Sequence, residues 1–211
     1  MWMVDIQGVP MLIRKITRRN PSPEVVEEAI SVMEGGGIVI YPTDTIYGLG
    51  VNALDEDAVR RLFRVKGRPP HKPVSICVSG VDEIPRFSRP SRHAMDLMKR
   101  ILPGPYTLIL ERNELIPDVI TGGSSRVGIR VPDDEVCRLI TARFPVTATS
   151  ANISGKPPSP GIEEILRDLD GVDLVLDAGE CQSMEPSTVI DLTVNPPRVL
   201  RRGKGPLDTI L

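Results

Sequence analysis

Short apolar runs that end in compact polar motifs dominate this sequence, and they restrict it to folds in which a sheet delivers loops to one place. The motifs are Pro42-Thr43-Asp44-Thr45-Ile46-Tyr47-Gly48, Lys66-Gly67-Arg68-Pro69, Thr149-Ser150-Ala151-Asn152-Ile153-Ser154-Gly155 and Pro186-Ser187-Thr188. Loops at strand ends, held by a rigid sheet, are where binding groups converge. Hydroxyls, amides and two nearby cations suit a ligand that combines phosphates with a small polar molecule.

Periodicity supplies the elements between the motifs. Met11 to Ile16 and Ile38 to Tyr41 read as strands. Between them Ser22 offers an N-cap, Pro23 a first helical position, and Val26, Ile30 and Met33 a helical face that stops at Gly35-Gly36-Gly37. Asp55 caps a second helix, with Ala58, Leu62 and Val65 on one face, and this helix carries Lys66 to its C-terminal end. Val74 to Val78, Tyr106 to Leu110, Arg126 to Val131 and Val146 to Ala148 follow as strands. Helices are expected over Ser91 to Leu102, from Asp133 or Asp134 through Arg143, and over Gly161 to Leu169. Leu174 to Leu176, Val189 to Leu192 and Arg198 to Leu200 complete the strands. Helices and strands alternate without repeat or linker. The reading is one α/β domain around a twisted sheet that need not be all parallel.

Composition excludes several classes. The chain has 211 residues, enough for a proper core, and a formal net charge of -2, which gives no global drive toward nucleic acid or membrane. Aromatics are 3%, too few for a base-stacking platform. Cys77, Cys137 and Cys181 are far apart, and His71 and His93 are isolated, so a structural zinc site is not expected and the thiols read as reduced and cytosolic. No apolar stretch approaches the ~20 residues needed to span a bilayer, and the N-terminus has no signal-peptide pattern. A cytoplasmic protein is expected.

Each motif has a plain structural reading beside the functional one. Thr43, Asp44 and Thr45 can make a turn by bonding their own backbone. Lys66 suits a helix C-terminus, but Gly67 and Pro69 take Arg68 out of the helix. A lysine and an arginine held this way make a phosphate clamp, one a point charge and the other a planar fork. Thr107 begins a strand after a rigid Pro103-Gly104-Pro105 turn. Ser150, Asn152 and Ser154 share one tight loop, and Arg201, Arg202 and Lys204 flank Gly203 as a phosphate contact or a solvated tail. There is no GxxxxGK[ST] loop and no GxGxxG, so a nucleotide would be held by another arrangement.

Taken in order, the wording of these motifs closely resembles the YrdC/Sua5 family, the L-threonylcarbamoyladenylate synthases. The matching text is Tyr-Pro-Thr-Asp-Thr-Ile-Tyr-Gly-Leu-Gly at 41–50, Lys-Gly-Arg-Pro at 66–69, Pro-Gly-Pro-Tyr-Thr at 103–107 and Gly-Ile-Arg-Val-Pro at 128–132. It continues with Ser-Ala-Asn-Ile-Ser-Gly at 150–155, Pro-Ser-Thr-Val-Ile-Asp at 186–191 and Leu-Arg-Arg-Gly at 200–203. The resemblance implies a single YrdC-like domain over 1–211, with a core at about 21–203, and a mixed sheet flanked by helices around a concave basic cleft.

It also implies chemistry. Family members make threonylcarbamoyl-AMP and pyrophosphate from L-threonine, bicarbonate and ATP, for transfer by a partner enzyme to the adenosine beside the anticodon of ANN-decoding tRNAs. Carried over residue by residue, Lys66 and Arg68 would grip the triphosphate, with Lys72 adding charge. Thr107, Ser150 and Asn152 would line the nucleotide side and Arg201 would contact a phosphate. Thr43, Cys77 and Ser187 would serve the L-threonine end. Mg²⁺ is expected with ATP rather than in a carboxylate cage. No catalytic side chain is assigned, because aligning reactants and dispersing charge is the main task.

Three departures from the family pattern stand out. Cys77 takes the place of a common histidine. His71 and Lys72 occupy a stretch where many members have asparagine. The longer members' extra C-terminal domain is not expected, so a lid would come from loops or from the tail Gly205 to Leu211. The rival reading is a double-stranded RNA or tRNA binder of the same fold, a YciO-like paralogue without synthase activity. It would draw on Arg18, Arg19, Lys66, Arg68, Lys72, Arg201, Arg202 and Lys204.

Overall fold

A computed structural model describes residues 2–4, 10–181, 183–208 and 210. Its strands are β1 (Trp2–Val4), β2 (Pro10–Lys15), β3 (Val39–Tyr41), β4 (Gly48–Gly50), β5 (Ser75–Cys77), β6 (Tyr106–Glu111), β7 (Arg126–Arg130), β8 (Val146–Ser150), β9 (Leu174–Asp177), β10 (Thr188–Asp191) and β11 (Arg198–Arg201). The helices are α1 (Pro23–Glu34), α2 (Glu56–Lys66), α3 (Arg92–Ile101), α4 (Asp118–Thr121), α5 (Glu135–Thr141) and α6 (Ile162–Asp168), with a 3-10 helix at Val81–Arg86. Among the described residues the strands form one mixed sheet in the order β1-β2-β9-β3-β4-β8-β5-β7-β6-β10-β11. Parallel pairs are β2 with β9, β9 with β3, β5 with β7, and β6 with β10; the remaining neighbours are antiparallel.

The centre of the sheet is covered on both faces, which is why its strands read as unbroken apolar runs. Side chains alternate along a strand. Ile38 and Ile40 join a layer built with Ala58, Val59, Leu62 and Phe63 of α2 and Leu97, Met98 and Ile101 of α3. Val39 and Tyr41 face the other side, against Val26, Ala29, Ile30 and Met33 of α1 and Val136, Cys137 and Ile140 of α5. Farther along, Leu108 and Leu110 of β6 stay in the first layer. Thr107 and Ile109, on the opposite face of that strand, look into a cavity. The site therefore lies where the second helical layer stops.

The strand β4 was not expected, since Gly-Leu-Gly has low strand propensity. Packing explains it. A Cβ on Gly48 would lie 2.6 Å from the Tyr41 ring, and one on Gly50 would lie 2.6 Å from both Tyr41 and Val146. The glycines let the Tyr41 ring lie across its neighbour strand, where its hydroxyl donates to the Thr147 carbonyl at 2.9 Å. Other differences are local. β1, the 3-10 helix and α4 had no periodic signal, and β8 runs on through Thr149 and Ser150, so the third motif begins inside a strand. Ser22 precedes α1 as expected but makes no side-chain cap bond. Asp55, Ser91 and Asp134 do cap their helices. Of the tail Gly205 to Leu211, Thr209 and Leu211 lie outside the described residues.

Gly50→Ala tests the Tyr41 packing. The methyl group would overpack the sheet, and we predict a loss of about 1–3 kcal/mol in denaturant unfolding. An unchanged midpoint would contradict the close approach.

Candidate active site

The cavity has a volume of about 270 Å³. Four of the sequence motifs meet on its wall: Thr43 and Thr45 from the first, Arg68 from the second, Thr149 and Ser150 from the third, and Ser187 from the fourth. Thr107, Arg130 and Arg201 join them.

The first motif is both a turn and a wall. Thr43 Oγ1 donates to the Ile46 carbonyl at 2.7 Å and accepts from the Thr45 amide at 3.2 Å. Its oxygen also lies 3.1 Å from Thr45 Oγ1. The turn reading is correct as far as it goes, yet both threonines also line the cavity.

Helix α2 delivers the second motif. Asp55 accepts from the amides of Asp57 and Ala58, each at 3.0 Å. At the other end Gly67 takes a left-handed conformation (φ 59°), and the Arg68 amide reaches back to the Phe63 carbonyl at 2.8 Å. This reversal separates the two cations. Arg68 turns to the cavity, its Nε 3.3 Å from the Lys72 carbonyl and its Nη2 on the Pro73 carbonyl.

Lys66 turns inward and is only 1% exposed. Its Nζ donates to the carbonyls of Ser150 and Asn152, the latter at 2.7 Å, and to Asn152 Oδ1 at 3.3 Å. Burial, reinforced by the neighbouring Arg68 guanidinium, pulls its pKa down to about 7. Lys66 thus ties the end of α2 to the third motif, and the Ser154 amide completes the tie on the Lys66 carbonyl at 2.8 Å.

Asn152 sits behind the wall, its Oδ1 also taken by the Ser150 hydroxyl and its Nδ2 donating to the Lys156 carbonyl. Lys72 is exposed, and its side chain does not line the cavity. Cys77 does not line it either. It is fully buried, with Sγ 3.7 Å from the hydroxyl of the cavity-lining Tyr41. Burial, more than the Cys77 sulfur, raises the Tyr41 pKa, and burial pushes Tyr47 up to about 12. Both phenols stay protonated, as their donation to the Thr147 and Gly179 carbonyls requires.

Thr107 was expected on the nucleotide side and Ser187 near the threonine or carbamate end. The structure brings their hydroxyl oxygens to 2.7 Å of each other, because β6 and β10 are parallel neighbours with Val189 opposite Thr107. Arg201 Nη2 closes this group, donating to the Ser187 carbonyl at 2.8 Å and its hydroxyl at 3.1 Å.

Arg130 is the residue that motif reading passed over, although it stands in the quoted Gly-Ile-Arg-Val-Pro stretch. The signal was available: an arginine inside an apolar strand is a charge that must find a partner. It is 8% exposed. Its Nη2 donates to Asp44 Oδ1 at 2.9 Å and Thr45 Oγ1 at 3.1 Å. Its Nε is buried with no protein partner. Arg130, Arg68 and Arg201 thus share one wall with threonine and serine side chains from several elements.

Comparison with known proteins agrees with the motif order. The Sua5/YciO/YrdC family model, described as telomere recombination, matches residues 31–203. A threonylcarbamoyl-AMP synthase of Pyrococcus abyssi is 42% identical over 186 residues, 86% of this chain and 55% of that protein. The chain thus spans little more than half of that relative. A putative threonylcarbamoyl-AMP synthase of Methanocaldococcus jannaschii is 39% identical over 206 residues, 96% of this chain and 98% of that protein. A crystal structure of Pyrococcus abyssi Sua5 complexed with L-threonine aligns with a TM-score of 0.89 at 38% identity, covering 95% of this chain and 60% of that one. Since a family model spans most of the sequence and relatives above 30% identity extend along it, the chain belongs to the Sua5/YciO/YrdC family.

Proposed function

We propose that this chain is an L-threonylcarbamoyladenylate synthase, a nucleotidyltransferase acting on L-threonine, bicarbonate and ATP. The observation that carries the reading is the convergence of three guanidiniums, Arg68, Arg130 and Arg201, with threonine and serine residues of separate motifs on one cavity. A guanidinium suits a carboxylate, and Arg130 stands beside Thr45 on the cavity wall. The α-carboxylate of threonine would bind there, with Thr43 and Thr45 beside it. Arg68, Ser150 and Arg201 would meet the phosphates, and the hydroxyls of Thr107 and Ser187 would lie between. At about 270 Å³ the enclosed space falls below the ~300–1,000 Å³ of drug-sized ligands. An amino acid and the reacting phosphate would be enclosed, with the nucleoside extending outward.

The chemistry asks for alignment more than for a nucleophilic side chain. The threonine amine attacks the bicarbonate carbon, forming the N–C bond and expelling water. An oxygen of the resulting N-carboxylate attacks the α-phosphorus, and the bond from that phosphorus to the bridging oxygen breaks, releasing pyrophosphate. Arg68 and Arg201 supply fixed positive charge where negative charge gathers. Asp44 is committed to Arg130 and to the Asp133 amide at 3.2 Å. The Mg²⁺ accompanying ATP would accordingly be held by phosphates and water rather than by this carboxylate. The adenylate would pass to a tRNA-modifying transferase.

Purified protein is expected to release pyrophosphate from ATP only when both L-threonine and bicarbonate are present. If ATP stays intact under those conditions, the RNA-binding reading of the same fold becomes the better one. Arg68→Ala should lower turnover by about 100-fold, the scale of one lost electrostatic contact, while leaving the unfolding midpoint in place. Lys66→Ala should lower both, because it takes the donor from the Asn152 carbonyl and weakens the holding of the third motif, at about 1–3 kcal/mol for a buried group. Equal stability of the two variants would remove the distinction between a ligand contact and an internal tie.

A further inference from the structure

The segment from Thr43 to Ile46 supplies much of the cavity wall, yet it is irregular backbone that no strand ladder holds. Two cations from distant parts of the chain reach its carbonyls. Arg18, in the turn between β2 and α1, donates from Nη1 to the Thr43 carbonyl at 2.7 Å and to Asp134 Oδ2 at 3.0 Å. Lys204, just beyond β11, donates from Nζ to the Asp44 carbonyl.

Both supports are themselves anchored. Asp134 caps α5, accepting from the Cys137 amide at 3.1 Å, and the Asn20 amide holds the same turn to Glu135 Oε2 at 3.0 Å. The Arg18 guanidinium also lies 6.0 Å from the centre of the Tyr47 ring. On the other side the Lys204 amide donates to the Pro186 carbonyl at 2.9 Å, and the Gly203 amide to Thr188 Oγ1 at 3.1 Å. A Cβ on Gly203 would lie 2.2 Å from the Pro186 carbonyl oxygen, so glycine lets the tail lie flat on the fourth motif. The tail thereby connects the first and fourth motifs across the cavity.

We propose that Arg18 and Lys204 are positioning residues for the amino-acid substrate: together they clamp the Thr43 and Asp44 carbonyls and so set the Thr43 and Thr45 hydroxyls against it. This rests on the synthase reading above, and neither residue lies in the family-matched stretch 31–203. The physical reason is peptide planarity. A trans peptide points its carbonyl and its amide in opposite directions. Fixing two successive carbonyls therefore fixes the Asp44 and Thr45 amides as well, and the Thr45 amide is the one that holds Thr43 Oγ1. Charge-assisted hydrogen bonds are stronger than neutral ones, which suits a backbone with no ladder. Arg130 grips the Asp44 carboxylate, so side chain and carbonyl are fixed by separate cations.

The test uses the full chain with Arg18→Met and Lys204→Met, singly and together, and Lys204→Arg as the donor-retaining control. Amide hydrogen exchange over 43–47 is expected to quicken by about tenfold or more in the double variant, with exchange in the core strands unchanged. The KM for L-threonine should rise by a similar factor with kcat changed far less, and Lys204→Arg should restore most of the loss. Unchanged loop exchange in the double variant would overturn the clamp. Faster exchange with an unchanged threonine KM would overturn the positioning role, as would a loss that tracks the melting temperature alone. Wild-type protein without threonine-dependent turnover would sink the assigned reaction instead, and the exchange arm would still decide the clamp.

Discussion

A guanidinium buried at the cavity wall dictates the arrangement around it. Arg130 enters from the end of β7, in the middle of the sheet, where water cannot compensate its charge. A buried charge must be paired or it costs several kcal/mol. Asp44 meets that demand, which fixes the first motif against the sheet. Thr45 takes a second bond to the same nitrogen, leaving Nε as the group with no protein acceptor. The turn and the pair are one arrangement: removing Asp44 would leave the arginine without its carboxylate, and removing the arginine would leave that carboxylate on the Asp133 amide alone.

The sheet determines where this can happen. Two helical layers cover the centre, but the face of β5, β6 and β10 that bears Ser75, Thr107 and Val189 opens on the cavity. Polar side chains on that face line the cavity, while their strand neighbours Ile76, Leu108 and Ile190 pack in the core. Lys66 extends the same logic into the third motif. With its Nζ on two carbonyls and an amide oxygen, it gives the polar groups at the end of β8 a fixed shape.

Much of this was legible in the residues. Helical spacing located α1, α2, α3 and α5, because each buries one apolar stripe, and apolar runs located the central strands. The motifs converge as their positions at strand ends implied. What escaped reading has identifiable causes. Gly-Leu-Gly carries no strand propensity, and only the Tyr41 ring across it shows why glycine is required. Lys66 and Arg68 look alike in sequence, but a left-handed glycine between them sends one inward and the other to the cavity. Cys77 shares a strand with the cavity-lining Ser75, yet the Tyr41 hydroxyl stands over its sulfur. Arg18 and Lys204 reach the first motif through its backbone carbonyls, and such contacts leave no pattern in a sequence.

As a synthase, this wall would join the threonine amine to the bicarbonate carbon and then the resulting N-carboxylate to the α-phosphorus of ATP. The most direct measurement is to incubate the purified chain with Mg-ATP, L-threonine and isotopically labelled bicarbonate, and to follow the label by mass spectrometry and carbon NMR. The account predicts that the label enters a threonine-containing adenylate as the carbamoyl carbon, one label per pyrophosphate released. Label that stays in bicarbonate while ATP remains intact, or an adenylate that forms without it, would contradict the account.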